Sequence, residues 1–239
     1  MEKDMKLHKF IATTIREYLN EMAYTRYEKN DDILPKEILD QLKLKLGFKR
    51  FTRIGSGRFG TAFKISNTKV LKITKDLKEY EYAKKIEGQK NIHIADVYKT
   101  FHFTNKLEED YNQYVCILKE FCNIDEHYFD NIIDSFLEYT GKEMSLSYIS
   151  SEFLSGDIDK RTLDKFFKRY KDNGGTKTGW MEQWYDMLME LKSKKIYVKD
   201  FNGSNVGTKP STGKLCIIEL GLGYWEKIKF QDEDKIDIF

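Results

Sequence analysis

The stretch Gly55-Ser56-Gly57-Arg58-Phe59-Gly60 places three glycines within six residues and is flanked on both sides by β-forming runs. Residues 51–54 precede it, Thr61-Ala-Phe-Lys-Ile follows it, and a further run at 69–73 comes after Ser66-Asn67. Runs this short, broken by turn residues, predict a small antiparallel meander. The glycines restrict the chemistry as well as the topology. Lacking side chains, they let backbone N–H groups approach phosphate oxygens. A dinucleotide-binding fingerprint needs such a turn to open a helix. Here it opens a strand, which excludes a Rossmann arrangement.

Downstream, a helical stretch at residues 76–88 is followed by extended runs at 94–103 and 114–118, separated by a polar insertion. From 125 to 195 the periodicity becomes helical. Phe129, Ile132, Ile133, Phe136 and Leu137 form one face, Leu163, Phe166, Phe167 and Tyr170 another, and residues 180–191 repeat the pattern after Gly174-Gly175. Short β-like pieces return at 196–198 and 215–218, joined through the turn-rich Thr208-Lys-Pro-Ser-Thr-Gly-Lys. Upstream, Leu7, Phe10, Ile11, Ile15, Tyr18, Leu19 and Met22 mark residues 5–22 as an amphipathic helix, packed on its own domain or contacting a partner. A second helix starts near Pro35, presents Ile38, Leu39, Leu42 and Leu46, and stops at Gly47. The order predicts an α+β protein: a helical extension over 1–48, a strand-rich part over 49–122 and a helix-rich part over 123–239.

Charge narrows the classes of partner. In 239 residues, 41 lysines and arginines stand against 39 acidic residues, so a formal charge of +2 offers no field for nucleic acid or a membrane surface. No apolar run reaches membrane-spanning length, and the N-terminus lacks a signal-peptide core. Cys116, Cys122 and Cys216 form no C-x-x-C pair, which predicts free thiols, no structural zinc and a cytoplasmic setting. His8, His93, His102 and His127 show no ligand spacing.

The residues able to do chemistry come in a definite order. Lys72 lies in the strand Lys69-Val-Leu-Lys-Ile, and Glu79 and Glu81 lie on the helix after it. In Val198-Lys199-Asp200-Phe201-Asn202-Gly203-Ser204-Asn205, an aspartate able to accept a hydroxyl proton is followed five positions later by an asparagine whose oxygen can reach magnesium. Cys216-Ile-Ile-Glu219-Leu-Gly221 is an apolar strand ending in a carboxylate. Together with the glycine turn, these segments resemble the protein-kinase family over about residues 51 to 223.

The resemblance implies two lobes, one small with five antiparallel strands and one reduced and mainly helical, with ATP and Mg2+ as cofactors. It implies that Gly55, Ser56, Gly57, Arg58, Phe59 and Gly60 cover the phosphates and that Lys72, held by Glu79 with Glu81 as competitor, contacts them. Val115-Cys-Ile-Leu-Lys-Glu-Phe-Cys resembles the strand running into the kinase hinge, with backbone groups at Glu120 and Cys122 facing adenine. Asp200 would orient the acceptor hydroxyl, while Asn205 and Glu219 would hold metal.

The chain also departs from the family. Glu219 stands where D-F-G has aspartate, Val198 and Lys199 replace the His and Arg before Asp200, and Lys119 lines the rear of the adenine pocket in place of an apolar or small residue. Eighteen residues follow Gly221, where the family builds an activation segment and a peptide platform. The leading expectation is an ATP- and magnesium-dependent phosphotransferase acting on a protein serine or threonine or on a small molecule. A pseudokinase that binds nucleotide or a partner is the alternative, and a structural or assembly protein is the third.

Overall fold

A computed structural model describes residues 36–57, 60–104, 114–140, 144–175, 179–221 and 235–237. The expected helix at 5–22, Arg58 and Phe59 lie outside them. The fold is α+β.

Five strands pair antiparallel in the order β1-β2-β3-β5-β4: β1 Thr52–Gly57, β2 Gly60–Lys64, β3 Lys69–Thr74, β4 Val97–Thr104 and β5 Val115–Glu120. β1 and β2 meet at Gly57 opposite Gly60, so the glycine segment is the hairpin that the sequence predicts. Gly60 is required there, because a Cβ would lie 2.2 Å from the carbonyl oxygen of Ile73 on β3. Gly60→Ala is therefore expected to cost about 1–3 kcal/mol through overpacking, read as a lower denaturant midpoint at unchanged slope. A sixth strand, Lys235–Asp237, adds to β4 in parallel and is not foreseen by the sequence reading.

Because directly paired residues share a sheet face, the register sorts the side chains. Phe63, Leu71 and Leu118 form a row on one face. Helix α1, Lys36–Leu46, covers that face with Leu39 and Leu42. Ala62, Lys72 and Ile117 form a row on the other face, with Val70 and Lys119 in the next row. Five of the six residues of β3 are buried, so a charged residue on it must find its partners inside the protein.

The second face meets α2, Leu77–Ile86, through a core that continues into the helices and the late hairpin. Four helices carry this core: α3 Glu126–Thr140, α4 Leu146–Ser155, α5 Lys160–Asp172 and α6 Trp180–Ser193. Phe136 stacks on Tyr170, and the buried Trp184 donates its indole N–H to Ser150 Oγ at 2.9 Å. Ser145 and Asp159 cap the first turns of α4 and α5.

The strand expected at 196–198 is not formed. Lys195 turns left-handed at φ 51° after α6, and Ile196 and Val198 are buried as single core side chains without a partner strand. The hairpin forms later, from β6 Val206–Thr208 and β7 Leu215–Ile217. Its turn closes through the N–H groups of Thr212 and Gly213, which donate to the Lys209 carbonyl.

Candidate functional site

Helix α2 begins with Asp76-Leu-Lys-Glu79, the pattern of a capping box in which the glutamate reaches back to the cap N–H. Half of that box is built. Asp76 Oδ1 accepts from the N–H groups of Lys78 and Glu79, both at 3.0 Å. The N–H of Asp76 goes instead to Thr74 Oγ1 at 3.0 Å, which releases the Glu79 carboxylate toward the sheet. There Glu79 Oε2 lies 2.7 Å from Lys72 Nζ. Glu81, the competing glutamate, pairs with Lys78 at the surface.

Lys72 has a second carboxylate partner, Glu219, just beyond β7. Lys119 completes the group: its Nζ is 3.5 Å from Glu79 Oε1 and donates to the Ile218 carbonyl at 2.8 Å. Two ammonium and two carboxylate groups thus converge from β3, β5, α2 and the hairpin end. Burial would depress the Lys72 pKa, but the charges of Glu79 and Glu219 outweigh it and hold the amine protonated. Burial pushes Glu79 upward against the pull of Lys72 and Lys119, and it pushes Lys119 downward. For Glu219 burial acts upward, yet the two lysines keep it below the usual carboxylate range.

The two carboxylates differ in exposure. The Glu79 side chain is 1% exposed and that of Glu219 is 39% exposed, so Glu219 is the partner that an incoming anion can exchange.

The hairpin register sets Asn205 beside this group. Val206 pairs with Ile217, and the N–H of Ile218 donates to the Asn205 carbonyl at 2.8 Å, so Glu219 follows directly. The Asn205 side-chain Nδ2 donates to the Asp200 carbonyl at 3.0 Å, leaving the amide oxygen as its ligating end. That oxygen and the Glu219 carboxylate are hard donors of the kind magnesium takes. The 200–205 loop is held by Asn202, whose Oδ1 accepts from the N–H groups of Ser204 and Asn205 at 3.0 and 3.1 Å. It is also held by Asp130, which accepts from the Gly203 N–H at 2.7 Å. Asp200 itself is exposed, and its Oδ1 accepts from Asn202 Nδ2.

No family model matches this chain, and no curated protein does.

Other expected site residues make contacts of their own. Gly55, Ser56, Gly57 and Gly60 form the β1–β2 hairpin end. Glu120 turns its carboxylate to Lys209, 3.1 Å away, and the Cys122 thiol packs 3.3 Å from that of Cys216. Gly221 packs on the start of α2, where a Cβ would come within 2.2 Å of Asp76 Oδ2. Asp76, Asp130 and the paired role of Lys119 escape the sequence reading. Only Asp76 carried a signal, the cap pattern ahead of the helix.

Proposed function

We propose that this chain is a kinase-like phosphotransferase that moves the γ-phosphate of ATP, with magnesium, to a hydroxyl group. The observation that carries the proposal is the meeting of Lys72, Glu79 and Glu219 beside Asn205, from two stretches of chain, 72–79 and 205–219, that are far apart in sequence. In this reading the strand-rich part and the helical part are two lobes, with the nucleotide between them. Glu79 holds the Lys72 ammonium toward the phosphates, and the glycine hairpin brings backbone N–H groups over them. Asp200 is exposed to receive an acceptor hydroxyl and takes its proton as the new bond forms. When bound, magnesium supplies neutralisation of charge on the transferring group. Asn205 and Glu219 are the residues that would hold it.

A second reading, nucleotide binding without transfer, is favoured by one observation: Glu219 commits one carboxylate oxygen to Lys72, which competes with a metal for that group. Among the described residues no helix is long and apolar enough to cross a membrane. With Cys116, Cys122 and Cys216 all free, we take the setting to be cytoplasmic.

Calorimetric titration with ATP, with and without magnesium, combined with radiolabelled γ-phosphate and candidate acceptors, separates these readings. The phosphotransferase predicts binding and transfer. Binding with no transfer supports the second reading, and no binding at all overturns both. Lys72→Ala is expected to weaken ATP about 10- to 100-fold, the value of a charge-assisted hydrogen bond. Unchanged affinity would remove Lys72 from the site.

A further inference from the structure

Lysine is rarely buried unless it is paired. Lys119 occupies an inward-facing position on β5, between β3 and β4, and is 5% exposed. Its contacts explain the choice of residue. With Lys72 alone, Glu79 and Glu219 would share one cation, although the Glu79 carboxylate is buried and cannot turn to water for compensation. Lys119 restores neutrality and also reaches across to the hairpin.

The consequence for Glu219 lies in the Ile218 peptide. Its N–H is tied to the Asn205 carbonyl at 2.8 Å, and its C=O is tied to Lys119 Nζ at 2.8 Å. The residue before Glu219 is therefore fixed from both sides, once by the loop that carries Asn205 and once by the sheet. We infer that Lys119 is a positioning residue: through the Ile218 carbonyl and Glu79 it sets Glu219 beside Asn205 and Lys72, so that the two oxygen ligands converge on one cation. The inference rests on the nucleotide and magnesium reading above and extends it to a residue that acts on the metal ligands through Glu79 and the Ile218 carbonyl.

The test uses the full chain as wild type, Lys119→Met and Lys119→Arg, and reads the gain in ATP affinity that magnesium provides, as the ratio of dissociation constants without and with the ion. Loss of a supporting partner typically lowers metal affinity 10- to 100-fold, so Lys119→Met should cut that gain by about 10-fold or more. Lys119→Arg keeps the charge and a donor and should retain most of it. A merely structural role would lower thermal stability and leave the ratio as in wild type, and that result overturns the inference. So does a Lys119→Arg variant that loses the gain as fully as Lys119→Met. If Lys119→Met does not fold, Lys119→Gln takes its place under the same criteria. If wild type binds no ATP, the nucleotide reading fails, and the inference is judged on the crystal structure of the substituted chain. Glu219 displaced from Lys72 upholds the positioning role, and Glu219 still in place ends it.

Discussion

Replacing Asp200 by asparagine is expected to slow phosphoryl transfer by roughly 10²- to 10⁴-fold while ATP affinity stays within a few-fold of wild type, the range that a positioned general base contributes. The structure makes the substitution clean. The Asp200 carboxylate accepts one hydrogen bond, from Asn202 Nδ2 at 2.8 Å, and an asparagine amide oxygen can accept the same bond. The contact that orients Asn205 goes to the Asp200 main-chain carbonyl and survives any side-chain change. The rest of the loop hangs on Asn202 and Asp130, so its shape does not depend on the Asp200 charge. Only the ability to take a proton is lost. Single-turnover transfer of labelled γ-phosphate, beside a calorimetric ATP titration, checks the split. An unchanged rate would show that Asp200 is no base, and parallel losses in rate and binding would show that the loop had moved.

Much of the sheet is legible from local pattern, because turn residues and β-branched runs act over a few positions. The hairpin at Gly57 and Gly60, α2 after Asp76 and the α1 face of Leu39 and Leu42 all follow from neighbours in sequence. The failures share one cause. Ile196 and Val198 have the composition of a strand, but strand formation needs a partner edge, and burial in the core satisfies the same side chains without one. The Lys235–Asp237 strand pairs with β4 from over a hundred residues away, and a three-residue strand carries no periodic signature. Helix α4 lies within a stretch recognised as helical, yet its limits are set by the Ser145 cap and by Gly156 at φ 102°, not by its apolar spacing.

The site divides in the same way. Lys72 and Glu79 can be named from a strand followed by a helix, and their ion pair is present at 2.7 Å. Choosing Glu79 over Glu81 is a matter of helix phase, since Glu79 faces the sheet and Glu81 faces Lys78 at the surface. What the sequence could not disclose is that Lys72 has two carboxylate partners and that Lys119 shares one of them. Those relations join segments 40 to 147 residues apart. They depend on strand order, which local pattern does not encode. The end of β5 gives the clearest instance, because Glu120 is engaged by a lysine from the β6–β7 turn, a segment with the composition of an ordinary loop.

That lysine supports the largest expected effect on stability. Lys209→Met should destabilise the fold by about 3–5 kcal/mol at neutral pH, the cost of leaving buried charge without its partner. Lys209 is 3% exposed, and its Nζ reaches the Asn91 carbonyl at 2.7 Å, Asp96 Oδ1 at 2.9 Å and Glu120 Oε2 at 3.1 Å. Methionine fills the space and supplies none of these bonds. Asp96 keeps the Asn91 N–H at 3.0 Å and Lys90, which is largely solvated, and Glu120 keeps the Ser211 hydroxyl and the Asp96 N–H, both at 3.3 Å. Burial alone would raise the Asp96 pKa, but hydrogen bonds from Lys209, Lys90 and the Asn91 N–H hold it below its ordinary 3.8. A carboxylate depressed in this way stabilises the fold above its unfolded pKa, and that contribution is lost as pH falls through the folded value. Without Lys209, burial of Asp96 is opposed only by Lys90 and the Asn91 N–H, so the depression of its pKa shrinks and acid costs the variant less than it costs the wild type. The gap between them should therefore be widest near pH 7 and should narrow as pH approaches 4. Urea denaturation at both pH values measures it. A gap that stays constant with pH would mean that Lys209 acts by packing, and a gap under about 1 kcal/mol would mean that water reaches the pair, as at an ordinary surface salt bridge.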